Sequence, residues 1–471
     1  MSSRRKTPSS GAALPVPGSA APAPGRLPGA ATLDSAPVLS VPESVLAEIH
    51  RCNKCGFCMA GCPTFGAQPL EWLVTRGRIS LVDDVLNGRL DADDPGFREA
   101  MDTCLKCRAC IEYCPPQIQI DHVVTHVRAA HRARHGLGRV ERLIYRGVLS
   151  RPGVFRVLSK LGHVAEVTGL RRVVTRSGLL RLWPVLQRAA ETGPVFPGHT
   201  GRELIEQEQR RAGRLSSPRD SVVYFLGCAK DFLYGEAALA TYRVLRVNGV
   251  EVELPHVSCC GLPCHSAGDL EGARALARRN LAVLRSSGIK TIVVDESSCC
   301  SHLRHLGELF TGLPEEGEMR RLSERVVDLT VYLDELGILP PGPLPIAVGW
   351  HDPCHLRHHE GVVESPRRLL RSIPGVTLVE STMAPGCCGG AGAIMITQPE
   401  LSDAILDARE NGFKEAGAQV IVTGSPSCVT QYRRKEVKGG LPVVYISQLL
   451  ARAYATGERG QDGGDGSSVQ G

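Results

Sequence analysis

Two runs constrain this chain more than anything else in it: Cys52-x2-Cys55-x2-Cys58-x3-Cys62-Pro63 and Cys104-x2-Cys107-x2-Cys110-x3-Cys114-Pro115. In each, three cysteines at steps of three wrap the backbone around one point. The fourth stands before a proline that breaks the local turn and is directed elsewhere. That three-plus-one pattern is the ligand set of paired four-iron clusters, in which the last cysteine of each run serves the other cluster. The spacing assigns Cys52, Cys55, Cys58 and Cys114 to one [4Fe-4S] cluster, and Cys104, Cys107, Cys110 and Cys62 to a second. Structural zinc is the rival reading, but zinc takes paired Cys-x2-Cys clips with four ligands in total, not two sets closed by proline.

Between the runs the apolar residues Ile79, Leu81, Val82, Val85 and Leu86 follow a helical period, and no convincing strand is present. The spacing predicts a helical ferredoxin-type domain over residues 43–135. Outside it lie segments of different character. Residues 1–42 are mostly Ala, Pro, Gly and Ser with a few basic residues, and 457–471 are similar, so both are expected to be disordered tails. Residues 136–218 form a basic helical connector. Between Arg139 and Ala190 there are eleven Lys/Arg against two Glu, broken by Arg151-Pro152-Gly153 and Trp183-Pro184. Short amphipathic helices with solvated arginines account for this, as does a docking surface for a partner subunit or anionic lipid head groups.

With 55 Lys+Arg against 49 Asp+Glu, the whole chain has only +6, so it lacks the basic field of a nucleic-acid binder. Its 18 cysteines in 471 residues are too sparse for a secreted disulfide scaffold. No stretch approaches the ~20 apolar residues of a membrane span, and Arg4-Arg5 is not followed by an apolar core. A cytoplasmic location is expected, at most peripheral on the membrane face, where clustered thiols bind metal or do redox chemistry.

From about residue 219 the pattern changes to short β-rich runs alternating with helices, the mark of α/β modules. Val222–Leu226, Thr291–Val294, Ile346–Val348 and Val420–Val422 are the expected strands, and Asp269 caps an expected helix carrying Leu276, Ala277, Leu281 and Leu284. Ala277-Arg278-Arg279-Asn280 returns as Ala408-Arg409-Glu410-Asn411, which suggests one module used twice, over 219–345 and 346–456. The cysteines repeat too. Cys228 is followed thirty-one residues on by Cys259-Cys260-Gly261, and Cys299 comes thirty-nine after Cys260. Cys354 is followed thirty-three on by Cys387-Cys388-Gly389, and Cys428 comes forty after Cys388. Loops leaving the strand ends of an α/β domain converge, so each copy can gather four thiols. Adjacent cysteines do not suit one corner of a regular cubane, which points to an unusual cluster; redox-inert buried thiols are the bland alternative.

These residues resemble a known family. The two Cys-Cys-Gly (CCG) modules are similar to the cysteine-rich domains of heterodisulfide reductase subunits and of the iron-sulfur subunits of flavin-dependent 2-hydroxyacid oxidases. The resemblance to the glycolate oxidase iron-sulfur subunits runs through Cys55-Gly56-Phe57-Cys58, Cys62-Pro63-Thr64, Arg76-Gly77-Arg78-Ile79 and Arg151-Pro152 with Phe155-Arg156, and covers about residues 46–455. It implies an α+β multidomain chain: a helical dicluster ferredoxin domain followed by two repeated α/β cysteine-rich modules. It also implies two [4Fe-4S] clusters, further iron-sulfur clusters in the modules, and FAD on a partner oxidase subunit that oxidises glycolate or lactate, with electrons leaving to a quinone-type acceptor.

Some residues depart from the pattern. Cys264 and Cys300 have no counterpart in the second module, and Cys299-x2-His302 and Cys428-x2-Gln431 stand where heterodisulfide reductases place Cys-x2-Cys. Reduction of a disulfide at a CCG site is one rival function, and redox sensing through the clusters is another. His351-Asp352-Pro353-Cys354-His355 would set an imidazole and a carboxylate beside a cluster, suited to proton transfer, or simply hold a hydrogen-bonded turn. His358 and His359 are read as surface residues.

Overall fold

The helical period around the first cysteine runs closes into α1 (Glu43–Arg51), α2 (Thr75–Leu86), α3 (Pro95–Asp102) and α4 (Ile120–His135). α3 starts where proline fits the first turn and the Asp94 carboxylate accepts the Phe97 N–H at 2.9 Å. Their apolar faces meet in one core of Val45, Ile49, Ile79, Val82, Phe97, Val123, Val124 and Val127. The computed structural model describes residues 39–177, 187, 195–392 and 394–462, and these belong to one packed unit. The first 38 residues, the last nine and Trp183-Pro184 lie outside it. Among the described residues up to 135 there is no strand.

The connector supplies α5 (Pro152–Val167), which packs by Phe155, stacked on Phe232 at 4.4 Å between ring centroids, and by Ser159, whose hydroxyl donates to the Phe232 carbonyl. Its opposite face is a row of exposed aliphatic side chains: Val154, Val157, Leu158, Leu161 and Val164.

Each module is a four-stranded parallel sheet. The first runs β2-β1-β3-β4, with β1 (Asp220–Tyr224), β2 (Val250–Glu253), β3 (Ile292–Val294) and β4 (Val326–Asp328). The second repeats that order as β6-β5-β7-β8, with β5 (Ile346–Trp350), β6 (Val376–Val379), β7 (Val420–Thr423) and β8 (Val443–Tyr445). The four strands expected from sequence are the inner ones. Buried on both faces, they read as continuous apolar runs. The outer strands escape a sequence reading because they are short and alternate with polar residues, as Val250-Glu251-Val252-Glu253 does.

The helices α6 (Gly235–Val247), α7 (Leu270–Leu284), α8 (Ser297–Arg304), α9 (Pro399–Glu415), α10 (Pro426–Glu436) and α11 (Ile446–Asp462) cover the sheets. α11 runs past Thr456, where the sequence suggests that order ends; Gly342 donates to the Ala453 carbonyl at 3.0 Å and has no side chain to hold Gly457 away. The modules are not separate bodies. Val222, Tyr224 and Leu226 share one apolar cluster with Val348, Trp350, Val420 and Val422. Ser297 reaches the Gly424 carbonyl through both its N–H and its hydroxyl, at 2.9 and 3.0 Å.

A charged clasp joins the modules as well. His305, just after α8, lies 2.7 Å from Glu308 and 3.2 Å from Glu360 of the second module, and Glu360 also pairs with Arg304 at 2.7 Å. The hydrogen bond to Glu308, then that to Glu360, pushes the imidazole up to about 9 from its ordinary 6.5. A raised folded-state value stabilises fully below 6.5, and that contribution is lost as pH rises through about 9. Thermal unfolding should therefore show the native chain losing its advantage over His305→Gln across that window; a constant difference between the two would exclude the clasp.

Candidate iron-sulfur sites

The two cysteine runs follow the same backbone path. Lys54 and Lys106, each one residue before the second cysteine, have φ of 53° and 55°, and the residues after it, Gly56 and Arg108, have φ of 89° and 60°. Three non-glycine residues in the left-handed region cost about 1–3 kcal/mol each, so the loops are held in a shape the chain would not choose by itself. Cys62, Cys104, Cys107 and Cys110 line one small cavity, together with Thr64, Thr75 and the buried Arg78. Thr75 donates to Cys110 Sγ at 3.2 Å, and Thr64 Oγ1 lies 3.0 Å from Cys62 Sγ. Cys52, Cys62 and Cys114 surround Cys58 on the adjoining side, while Cys55 is exposed. Burial pushes the thiols of Cys58, Cys107 and Cys110 up. Thiols gathered in this way, with hydroxyl and backbone donors around them, fit the ligand set of an iron-sulfur cluster.

In each module the cysteines leave strands at the point where the strand order reverses, which is where open parallel sheets build sites. Cys228 follows β1, Cys259-Cys260 follow β2 and Cys299 lies in the first turn of α8; Cys354 follows β5, Cys387-Cys388 follow β6 and Cys428 lies in the first turn of α10. Thiol hydrogen bonds link the first quartet in the order Cys228, Cys259, Cys260, Cys299, and the second in the order Cys354, Cys387, Cys388, Cys428. Cys388 and Cys428 sulfurs are 3.4 Å apart. Within the first chain of bonds, Cys228 and Cys260 hold Cys259 well below the usual thiol range and are themselves pushed up. The glycine after each pair is required: Gly261 and Gly389 have φ of 101° and 82°, and a side chain on Gly389 would lie 2.7 Å from the Ser402 carbonyl.

The surroundings of the two quartets differ. Beside the first, Glu296 accepts the Lys230 N–H at 3.0 Å and the Cys299 thiol at 3.1 Å; burial, reinforced by neighbouring Asp295, pushes its carboxyl up to about 7. Beside the second, His351 lies with Cys388 and Cys428, their ligand atoms all within 4.8 Å of one another. Asp352, expected to face the site, does not: Trp350 donates to it at 2.9 Å and Arg367 binds it through two nitrogens at 2.9 and 2.8 Å. Cys264 and Cys300 belong to neither bonded quartet. Cys264 is pushed up to about 12 by burial, and Cys300 lines a separate cleft with Arg304, Asp328 and Glu360.

The repeated tetrapeptide is not a shared contact. Asn280 is fully buried and holds the first loop through the Ser258 N–H at 2.7 Å and the Cys259 carbonyl at 3.0 Å, whereas Asn411 is exposed. The second loop is held instead by the Ser402 hydroxyl on the Gly389 carbonyl at 3.0 Å.

The ferredoxin-type region and the second module meet directly. Leu105, Cys107 and Ala109 share an apolar cluster with Cys354, Cys387, Leu401 and Ile405. His358 and His359, expected at the surface, are at this junction. The His358 side chain is 1% exposed and 2.8 Å from Glu112, and His359 bonds to the Lys106 carbonyl at 3.1 Å.

Family models match here: a 4Fe-4S dicluster domain over residues 48–118 and a cysteine-rich domain twice, over 222–304 and 348–433. The chain belongs to the iron-sulfur proteins built from these domains. It is similar to a "Probable glycolate oxidase iron-sulfur subunit" of Bacillus subtilis, 28% identical over 86% of this chain and 94% of that one. The "Glycolate oxidase iron-sulfur subunit" of Escherichia coli is 28% identical over 81% and 89%. One component of the "Dihydromethanophenazine:CoB--CoM heterodisulfide reductase" of Methanosarcina barkeri is 24% identical over 75% and 94%. The fold class read from sequence holds: a helical dicluster domain followed by two α/β cysteine-rich repeats. None of the described helices is long and apolar enough to cross a membrane.

Proposed function

We propose that this chain is the electron-transfer subunit of a flavin-dependent 2-hydroxyacid oxidase or dehydrogenase of the glycolate or lactate class, delivering electrons from a partner FAD protein to a quinone-type acceptor. Cys52, Cys55, Cys58 and Cys114 would hold one [4Fe-4S] cluster, Cys62, Cys104, Cys107 and Cys110 a second, and the two module quartets further clusters. Such clusters supply one-electron carriers. The observation that carries the reading is the packing of Cys107 against Cys354 and Cys387, which puts a ferredoxin-type ligand set beside a module quartet. Similarity to the glycolate oxidase subunits supports the substrate class. The test is an anaerobic preparation of the full chain with iron and sulfide counts, followed by mixing with the co-purifying flavoprotein and glycolate or lactate. Bleaching of the iron-sulfur absorbance on substrate addition is expected; zinc in place of iron, or no bleaching with any 2-hydroxyacid, overturns the reading.

The exposed aliphatic row on α5, next to Arg156 and Lys160, is proposed to receive the flavoprotein. Val157→Asp with Leu161→Asp, or charge reversal at Arg139, Arg142 and Arg151, should abolish co-purification while leaving the iron count intact. Undiminished recovery of the flavoprotein with such a variant would remove α5 from the interface.

A further inference from the structure

His351 enters the fold directly after β5, three residues before Cys354; at the corresponding position of the first module, directly after β1 and three residues before Cys228, stands Phe225. The side chain is almost fully enclosed, at 3% exposure, as are Cys388 at 2%, Cys428 at 5% and Tyr432 at 1%. Its two nitrogens have unequal surroundings. Nδ1 lies 3.2 Å from the Tyr432 hydroxyl. Nε2 is buried and has no hydrogen-bond partner, although the ring sits against two cysteine sulfurs with all ligand atoms within 4.8 Å of one another. Proteins do not often leave a buried ring nitrogen unsatisfied. Phe413, edge-on to the ring at 6.4 Å, and Tyr432, edge-on at 5.1 Å, fix its orientation but offer Nε2 nothing.

We infer that His351 Nε2 is a fifth protein ligand of the second module, binding an iron on the Cys388–Cys428 side of the quartet. Metal-bound histidines usually donate their other ring N–H to a fixed partner, which sets the tautomer and leaves the free lone pair facing the metal. The Tyr432 hydroxyl provides that partner, its oxygen accepting a hydrogen bond from Nδ1–H. A mixed set of thiolates and neutral imidazole stabilises the reduced state relative to thiolates alone, as the nitrogen-ligated two-iron centres illustrate. The duplicated modules are thereby made unequal. Phe225 offers no nitrogen at this position of the first module, so the second module is the better electron sink, at the junction where Cys107 arrives. The inference rests on reading the second quartet as a cluster site.

The test is pulsed electron paramagnetic resonance on the anaerobically isolated full chain, grown with natural or nitrogen-15-labelled histidine. A histidine nitrogen coupling that changes with the label is expected in the native chain, and its loss in both His351→Ala and Cys388→Ser. His351→Cys guards against misfolding: it should keep the native iron count yet lose the coupling, with a lower reduction potential for that centre. Iron removed by Cys388→Ser, with no label-sensitive coupling in the native chain, overturns the His351 assignment and leaves the proposed electron-transfer role standing. A coupling that survives in His351→Ala overturns it equally. An iron count unchanged by Cys388→Ser defeats the cluster reading of the module together with the inference.

Discussion

Cys107→Ala should lower the iron content by four atoms per chain, the complement of one 4Fe-4S centre, and stop flavoprotein-driven reduction of the second module. Alanine has no donor atom, and the site is shielded from bulk water that could replace the lost ligand: Cys107 is 6% exposed and packed among Leu105, Ala109, Cys354 and Cys387. Two consequences combine at this residue. It completes the set Cys62, Cys104, Cys107 and Cys110 around one cavity, and it is the member of that set in contact with the module quartet. Loss of Cys55, exposed on the far side, should remove iron too, but would leave that contact in place. Cys264→Ala is the control: also a buried thiol, outside both bonded quartets, it should leave both iron and electron transfer unchanged. Iron analysis with time-resolved absorbance checks all three. A Cys107→Ala chain with a full iron complement would show that the cavity is not a cluster site.

That contact marks where sequence reading reaches its limit. The ferredoxin-type runs are legible because three cysteines of each lie within a few residues of one another, so spacing alone carries geometry. The inner strands are legible because burial on both faces writes an unbroken apolar run. Nothing local records that Leu105 and Cys107 will meet Ile405, or that His358 and His359 will turn from solvent to Glu112 and Lys106. Adjacent polar residues without a hydrophobic partner in sequence read as surface until another domain covers them. Asn280 and Asn411 mislead in the opposite sense: the same tetrapeptide pattern holds a cysteine loop in one module and faces water in the other. The role of His351 needs the fold as well, since a histidine before Pro-Cys is equally compatible with a plain turn.

Arg367→Met should destabilise the chain by about 3–5 kcal/mol, the loss expected when one partner of a buried ion pair is removed and the other stays charged. Arg367 is 5% exposed and binds both oxygens of Asp352, at 2.9 and 2.8 Å, and both of Glu380, at 2.8 and 2.9 Å. Glu380 is half-exposed and can turn to water, so its half of the arrangement adds little. Asp352 cannot. It is 8% exposed, and without Arg367 it keeps only the Trp350 N–H and a long contact of 3.4 Å from Arg357. The uncompensated carboxylate lies between His351 and Cys354, so the strain falls on the loop that brings both to the second quartet. Arg367→Lys should recover only part of the loss, because an ammonium cannot reproduce the two-pronged contact. Adding Asp352→Asn to Arg367→Met should recover more, since it removes the buried charge itself, and the two changes should be strongly non-additive. Denaturant unfolding of the native chain, the two single variants and the double variant gives the cycle. Additive losses would mean that Asp352 does not depend on Arg367 for its compensation, and that the loop bearing Cys354 is held by packing alone.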